Sequence, residues 1–198
     1  MPRKKTPYGK RIKEAGEEIS VIFNHPALDV DLRSALCVVG DTMDADRSYI
    51  FLLKNNGCRG VKKIESFVEW CKEGIQPDCN ILQDFDTKEL SWWMDKLVEE
   101  HSINYHDTGI LPREAEMEKA ILDSQNVMSI VAMPIFNDGG SLLGFVYVDS
   151  IRKMKKWGSK DEHLLKSLAV LFSGYIERRK EEIELRRAIR VLDSTWRN

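Results

Sequence analysis

Four cysteines, Cys37, Cys58, Cys71 and Cys79, and four histidines, His25, His101, His106 and His163, are the side chains best suited to nucleophilic, redox or metal chemistry. Their spacing supports none of these. No CxxC pair occurs and no histidine stands at zinc-finger distance from a cysteine, so the thiols read as reduced and structural. No histidine pairs with a serine or cysteine at a triad-like spacing. His163, in the run DEHLLKS, has the surroundings of a phosphoacceptor, but no catalysis by it is expected. Asp107, Glu114, Glu116 and Glu118 gather around a helix start, where carboxylates complement the helix dipole without any metal. Arg152, Lys153, Lys155, Lys156 and Lys160 form a basic run that lacks interleaved aromatics and therefore reads as a solvated loop.

The chain that must position these groups has 198 residues, 42% apolar and 31% charged, with a formal charge of −2. That describes one globular domain with short extensions and no global attraction to nucleic acid or an anionic membrane. No apolar run approaches the ~18 residues of a membrane span, and residues 1–11 are basic without the apolar core of a secretory signal. A cytoplasmic location is expected.

Residues 10–23 carry Ile12, Ala15, Ile19 and Ile22 at helical spacing, and the helix should stop before His25-Pro26. A second helix is expected over 29–43, with Asp29 or Asp31 as N-cap. Strands follow at 47–53 and 61–71, a loop at 74–80, a short helix at 90–100, a brief strand near 102–106 and a helix over 112–124. Two strands then flank Asn137-Asp138-Gly139-Gly140, a turn whose residues tolerate positive φ, so the strands are antiparallel neighbours. Both are apolar at nearly every position, which calls for cover on both faces. From Ser159 to about Trp196 the chain reads as one helix. Its first half is dense in core positions and its second half is charged, with a sparser stripe at Leu185, Ile189, Leu192 and Trp196.

This order of elements, with YIFLL at 49–53, Gly74-Ile75-Gln76-Pro77, Trp92-Trp93, MPI at 133–135, GFVYVD at 144–149 and W-x-x-x-D-E at 157–162, resembles the GAF domain of prokaryotic signalling proteins. The resemblance implies an α+β fold: a central antiparallel sheet, the N- and C-terminal helices on one face, and a ligand pocket with short helices on the other. It divides the chain into a basic tail (1–9), a GAF-like domain (10–178) and a helical extension (179–198). Tyr49, Trp70, Trp92, Trp93, Met133 and Tyr147 become candidate pocket walls, with ordinary cover for the sheet as the alternative, since strand parity is open.

The function implied is a non-catalytic sensor that binds a small molecule and relays the signal through its terminal helices. Homodimerisation through Ile176, Ile183, Leu185, Ile189 and Leu192 is expected, with a kinase or cyclase as output domain or partner. No cofactor is named. Cyclic-nucleotide-binding members often carry an Asn-Lys pair after the last strand, where this chain has Asp149-Ser150. Tetrapyrrole-binding members attach the pigment through a cysteine in the segment matching residues 105–125, which has none here. Neither a cyclic nucleotide nor a covalent tetrapyrrole is expected. The alternatives are an enzyme of the free methionine sulfoxide reductase type, which needs a low-pKa attacking cysteine among Cys58, Cys71 and Cys79, and a structural dimerisation module with an empty pocket.

Overall fold

The structure, a computed structural model, describes residues 7–24, 31–55, 62–77, 85–99 and 102–195, with side chains as far as residue 190. Helices α1 (Tyr8–Phe23) and α2 (Leu32–Met43) precede strands β1 (Arg47–Asn55) and β2 (Lys62–Cys71). Helix α3 (Ser91–Glu99), strand β3 (Ile103–Tyr105), two 3₁₀ turns (Thr108–Ile110 and Arg113–Ala115) and helix α4 (Glu116–Ser124) follow. Strands β4 (Ser129–Phe136) and β5 (Leu142–Ser150) then lead into α5 (Ser159–Thr195). The single helix expected over 112–124 is therefore a 3₁₀ turn followed by α4, with Ala115 at φ −95°, ψ 27° between them.

The strands form one antiparallel sheet in the order β2-β1-β5-β4-β3. The two strands apolar at nearly every position occupy its interior, as continuous burial requires. Pro134 pairs with Phe145 of β5 but lies beyond the point where β3 stops pairing with β4, so on that side its missing N–H forfeits no ladder bond. Of the four turn residues, only Gly140 adopts positive φ, at 74°.

Two cores sit on opposite faces. Val131, Met133 and Ile135 of β4, Val146 and Val148 of β5 and Ile50 of β1 pack beneath α1, α2 and α5, whose contributions include Ile19, Phe23, Leu36, Val39, Leu164, Leu168 and Phe172. The alternate residues Ile130, Ala132, Phe145, Tyr147, Tyr49 and Phe51 face α3 and α4. Asp31 caps α2, its Oδ1 accepting from Ser34 N at 3.0 Å, while Asp29 lies outside the described residues.

The passage from β5 into α5 is held by buried polar bonds. Asp46 Oδ2 accepts from Ile151 N (2.9 Å) and Arg152 N (3.0 Å), and its Oδ1 accepts from Arg152 Nε (2.7 Å). Burial opposes ionisation of Asp46, yet the bonds from Arg152 and Ile151 outweigh it and lower the pKa. Asp44 takes Lys72, Lys153 and Lys155, and these cations hold its carboxyl well below the usual range. Arg152 and Lys153 stay exposed, as a solvated loop would have them, yet with the more buried Lys155 they also pair with the two aspartates. Trp157 Nε1 donates to Met43 O (3.1 Å), Asp161 Oδ2 accepts from Gly158 N (2.9 Å), and Glu162 Oε1 accepts from Asn104 Nδ2 (2.7 Å). Tyr8 donates to Asp161, joining the N-terminal ends of α1 and α5.

Helix α5 outruns the body. Its core positions Leu164, Leu168, Leu171 and Tyr175 continue at the same alternation of three and four through Arg178, Glu182, Leu185 and Ile189. Arg178 donates to Phe23 O at the end of α1 (3.1 Å), marking the level at which the helix leaves the domain. Among the described residues no helix is long and apolar enough to cross a membrane.

Close backbone approach makes Gly144 the least replaceable residue of the sheet. A Cβ there would lie 2.0 Å from Phe51 O, which is backbone and cannot swing aside. Gly144→Ala is expected to cost about 3 kcal/mol or more by urea unfolding. Gly174→Ala, in open space on α5, should instead stabilise by about 0.5–1 kcal/mol.

Candidate functional site

Three directly opposed pairs on β1 and β5 form the floor of the α3/α4 face: Arg47 with Asp149, Tyr49 with Tyr147, and Phe51 with Phe145. Opposed side chains on a strand pair lie close enough to interact strongly, and each rung does so. Phe51 stacks on Phe145 at 5.0 Å, and Tyr49 meets Tyr147 at 5.6 Å. Arg47 grips Asp149 with a fork, Nε to Oδ2 at 2.9 Å and Nη2 to Oδ2 at 2.6 Å, with side-chain exposures of 4% and 0%. Burial pushes the Asp149 carboxyl up, and the attraction of Arg47 and its hydrogen bonds oppose that rise. Burial, with Asp149 beside it, raises the Tyr147 phenol well above its ordinary range.

Helix α3 lays Trp93 across this floor, with ring centroids 6.0 Å from Phe145 and 5.9 Å from Tyr147. Helix α4 fixes α3 in turn: Glu118, only 3% exposed, accepts from the Trp93 backbone N–H (3.0 Å), one of the donors a helix leaves unpaired in its first turn. Between them lies a cavity of ≈ 10 Å³ lined by Leu90, Trp93, Glu118, Ile121, Leu122, Gln125 and Tyr147. That is room for about one water molecule. Among the described residues, buried Trp93 Nε1 and Tyr49 Oη have no hydrogen-bond partner, and such groups are costly when left unmade.

Tyr49, Trp93 and Tyr147 are therefore brought together. Trp92 flanks them, half-buried against Tyr105 at 5.8 Å and beneath Lys96. Trp70 and Met133 belong elsewhere. Trp70 is paired with Ser48, whose Oγ bonds Leu36 O of α2, and its ring lies over Gly40, where a Cβ would fall 2.1 Å from Cζ3. Met133 packs in the α1/α2/α5 core, one residue out of phase with Ala132, which faces the cavity side. Ile176 is half-buried against that helical core, while Ile183, Leu185 and Ile189 are exposed on α5. The Leu192 side chain lies outside those described, as does Trp196 altogether.

Sequence reasoning missed the Arg47–Asp149 pair and the inward turn of Glu118. The available signal was a charge of each sign at the ends of two strands, two residues from a tyrosine on each. Cys71 Sγ approaches Glu69 Oε1 (3.1 Å), and burial, with Glu69 beside it, pushes the thiol up to about 12, opposite to an attacking thiolate. Burial and Asp41 raise Cys37 as well. Cys58 and Cys79 lie outside the described residues. Among the described residues no cluster of histidine, cysteine and carboxylate side chains could hold a metal ion.

The GAF domain family model matches residues 28–176. The methanogenesis regulatory histidine kinase FilI of Methanothrix harundinacea (strain 6Ac) is 26% identical over 194 residues, covering 89% of this chain, which spans 21% of that protein's length. Two solved structures share the fold. The far-red absorbing dark state of JSC1_58120g3 with bound biliverdin IXa has a TM-score of 0.66 at 12% identity, over 86% of this chain and 99% of that one. The phycoerythrobilin-bound GAF domain from a cyanobacterial phytochrome has a TM-score of 0.61 at 14% identity, over 88% and 99%. These neighbours overturn the expectation drawn against a covalent tetrapyrrole as a reason to set bilins aside. The fold is one in which bilins are held, and an attachment cysteine bears on the covalent link, not on the capacity of the fold.

Removing either partner of the buried pair strands a charge. Arg47→Met and Asp149→Leu are each expected to cost about 3–5 kcal/mol in urea unfolding, and the double variant to recover most of that loss. An additive double variant would mean that the pair is not coupled.

Proposed function

The chain belongs to the GAF domain family, and on that premise we propose that it is a non-catalytic, cytoplasmic sensory module whose ligand enters between the sheet and helices α3 and α4. The observation that carries this reading is the small cavity lined by Trp93 and Tyr147, on the opposite face of the sheet from α5, beside a Trp93 indole N–H that has no partner among the described residues. Tyr147 lines the cavity, and two residues along the same strand Asp149 is gripped by Arg47. The chain then passes through the Asp46 bonds to Ile151 and Arg152 and on to Trp157 and α5. A ligand can bias α5 only by binding two arrangements of this path unequally. The raised thiols of Cys71 and Cys37 favour a binding role over reductase chemistry.

The output is a histidine kinase domain, by analogy with the regulatory kinase to which the chain is similar. The module works as a homodimer through the exposed apolar residues of α5, Ile183, Leu185 and Ile189. A second reading, a structural dimerisation module, is favoured by the small volume of the cavity.

Thermal-shift screening against a panel of small metabolites separates the two. The sensor binds at least one class and loses that response in Ile121→Trp, which plugs the cavity mouth while the domain remains folded. A flat response across the panel supports the structural module. Under either reading, truncation after Glu177 should halve the mass seen by sedimentation and leave the core transition nearly unchanged, and an unchanged mass would remove α5 as the dimer contact.

A further inference from the structure

A second hollow lies on the opposite face of the sheet, separate from the α3/α4 cavity and from the sensor reading built on it. Strand β3 pairs with β4 only over residues 130–132, and among the described residues no strand continues along that edge. Beyond it, α5 and β4 bound a trough of ≈ 270 Å³ whose walls include Met133, Pro134, Ala169 and Val170. The trough adjoins a recess of ≈ 210 Å³ lined by Ser102, Glu162, His163 and Lys166. Met133 and Lys166 border both, so one end of the hollow is apolar and the other is charged.

Glu162 and Lys166 stand one helical turn apart on α5, a spacing at which opposite charges commonly pair. Here they do not. Glu162 is turned to the edge strand, its Oε1 accepting from Asn104 Nδ2 at 2.7 Å, and Lys166 makes no hydrogen bond or ion pair among the described residues. His163 between them is engaged through Nδ1 with Ser159 O (2.6 Å). Cβ atoms four residues apart on a helix are separated by about 5–6 Å, a gap that two opposite charges on one carbon can bridge with the flexible lysine stem. We propose that this hollow takes a free α-amino acid with an aliphatic side chain, its carboxylate meeting Lys166, its ammonium meeting Glu162 and its side chain lying along Met133, Pro134 and Val170. A ligand with a single charge leaves one end unanswered, and one without a side chain leaves the trough empty. Glu162, Lys166 and Val170 all belong to α5, so occupancy acts on the exit helix directly.

Four probes test this on the full chain: leucine, 4-methylpentanoate (no ammonium), 3-methylbutylamine (no carboxylate) and glycine (no side chain). The ¹³C-methyl resonance of Met133, which borders both recesses, reports binding, and the indole resonance of Trp93 reports the α3/α4 cavity separately. Both protein charges keep contact with solvent, so leucine is expected to bind with a Kd on the order of 1 mM, about fivefold tighter than either analogue, with glycine weaker still. Lys166→Met should abolish the advantage over 3-methylbutylamine. Glu162→Gln, which keeps an acceptor for Asn104, should abolish the advantage over 4-methylpentanoate. Either analogue or glycine binding as tightly as leucine, either variant retaining its advantage, or a Met133 resonance that leucine leaves unmoved would overturn the proposal. A leucine response at Trp93 alone would overturn it as well, while supporting the sensor cavity.

Discussion

A sheet that is apolar on both faces is not stable until both faces are covered, and the rest of this molecule follows from that constraint. β4 and β5 present side chains in two directions, so the chain supplies two separate layers. Helices from its two ends cover one face, and short helices from its middle cover the other. The layers differ in kind. The α1/α2/α5 layer is aliphatic with edge-on aromatic contacts around Phe23 and Phe172. The α3/α4 layer is built on aromatic rings and a buried ion pair, and it retains a polar group without a partner. A layer with orphaned polar groups is less completely satisfied, which marks it as the layer that can be remodelled.

Much of the fold was legible because helical stripes, a Gly-rich turn and continuous apolar strands are local signals. Strand parity was not legible for the same reason that the strands were recognisable. A strand apolar at nearly every position has no alternation from which to read its faces, so nothing in its sequence separates Met133, in the helical core, from Ala132, which faces the cavity side. Trp70 was misplaced because its environment is set by Gly40 on another element, a contact with no signature in its own neighbourhood. The pairing of the basic run was hidden because its partners Asp44 and Asp46 stand more than a hundred residues earlier in the chain. The size of the cavity was beyond sequence altogether, since it depends on how Trp93 and Tyr147 settle against each other.

The W-x-x-x-D-E motif gains a physical meaning from these contacts. Trp157 ties the loop to the end of α2, Asp161 closes the first turn of α5 and takes Tyr8 from α1, and Glu162 reaches Asn104 on the edge strand. Three residues thus fasten the start of the exit helix to three different elements. The motif is a mounting bracket, and its residues are accounted for without any ligand.

The unbroken seam of α5 sets a handedness. An ideal α-helix falls behind a seven-residue repeat by ~20° per heptad, so the face carrying Leu168 has turned by about 60° when it reaches Ile189 three heptads later. A straight shaft would present that face obliquely to the one inside the domain. Any neighbour that follows the seam must wind around α5 in a left-handed sense, so the face sets a winding direction for a packed partner as well as a position along the helix.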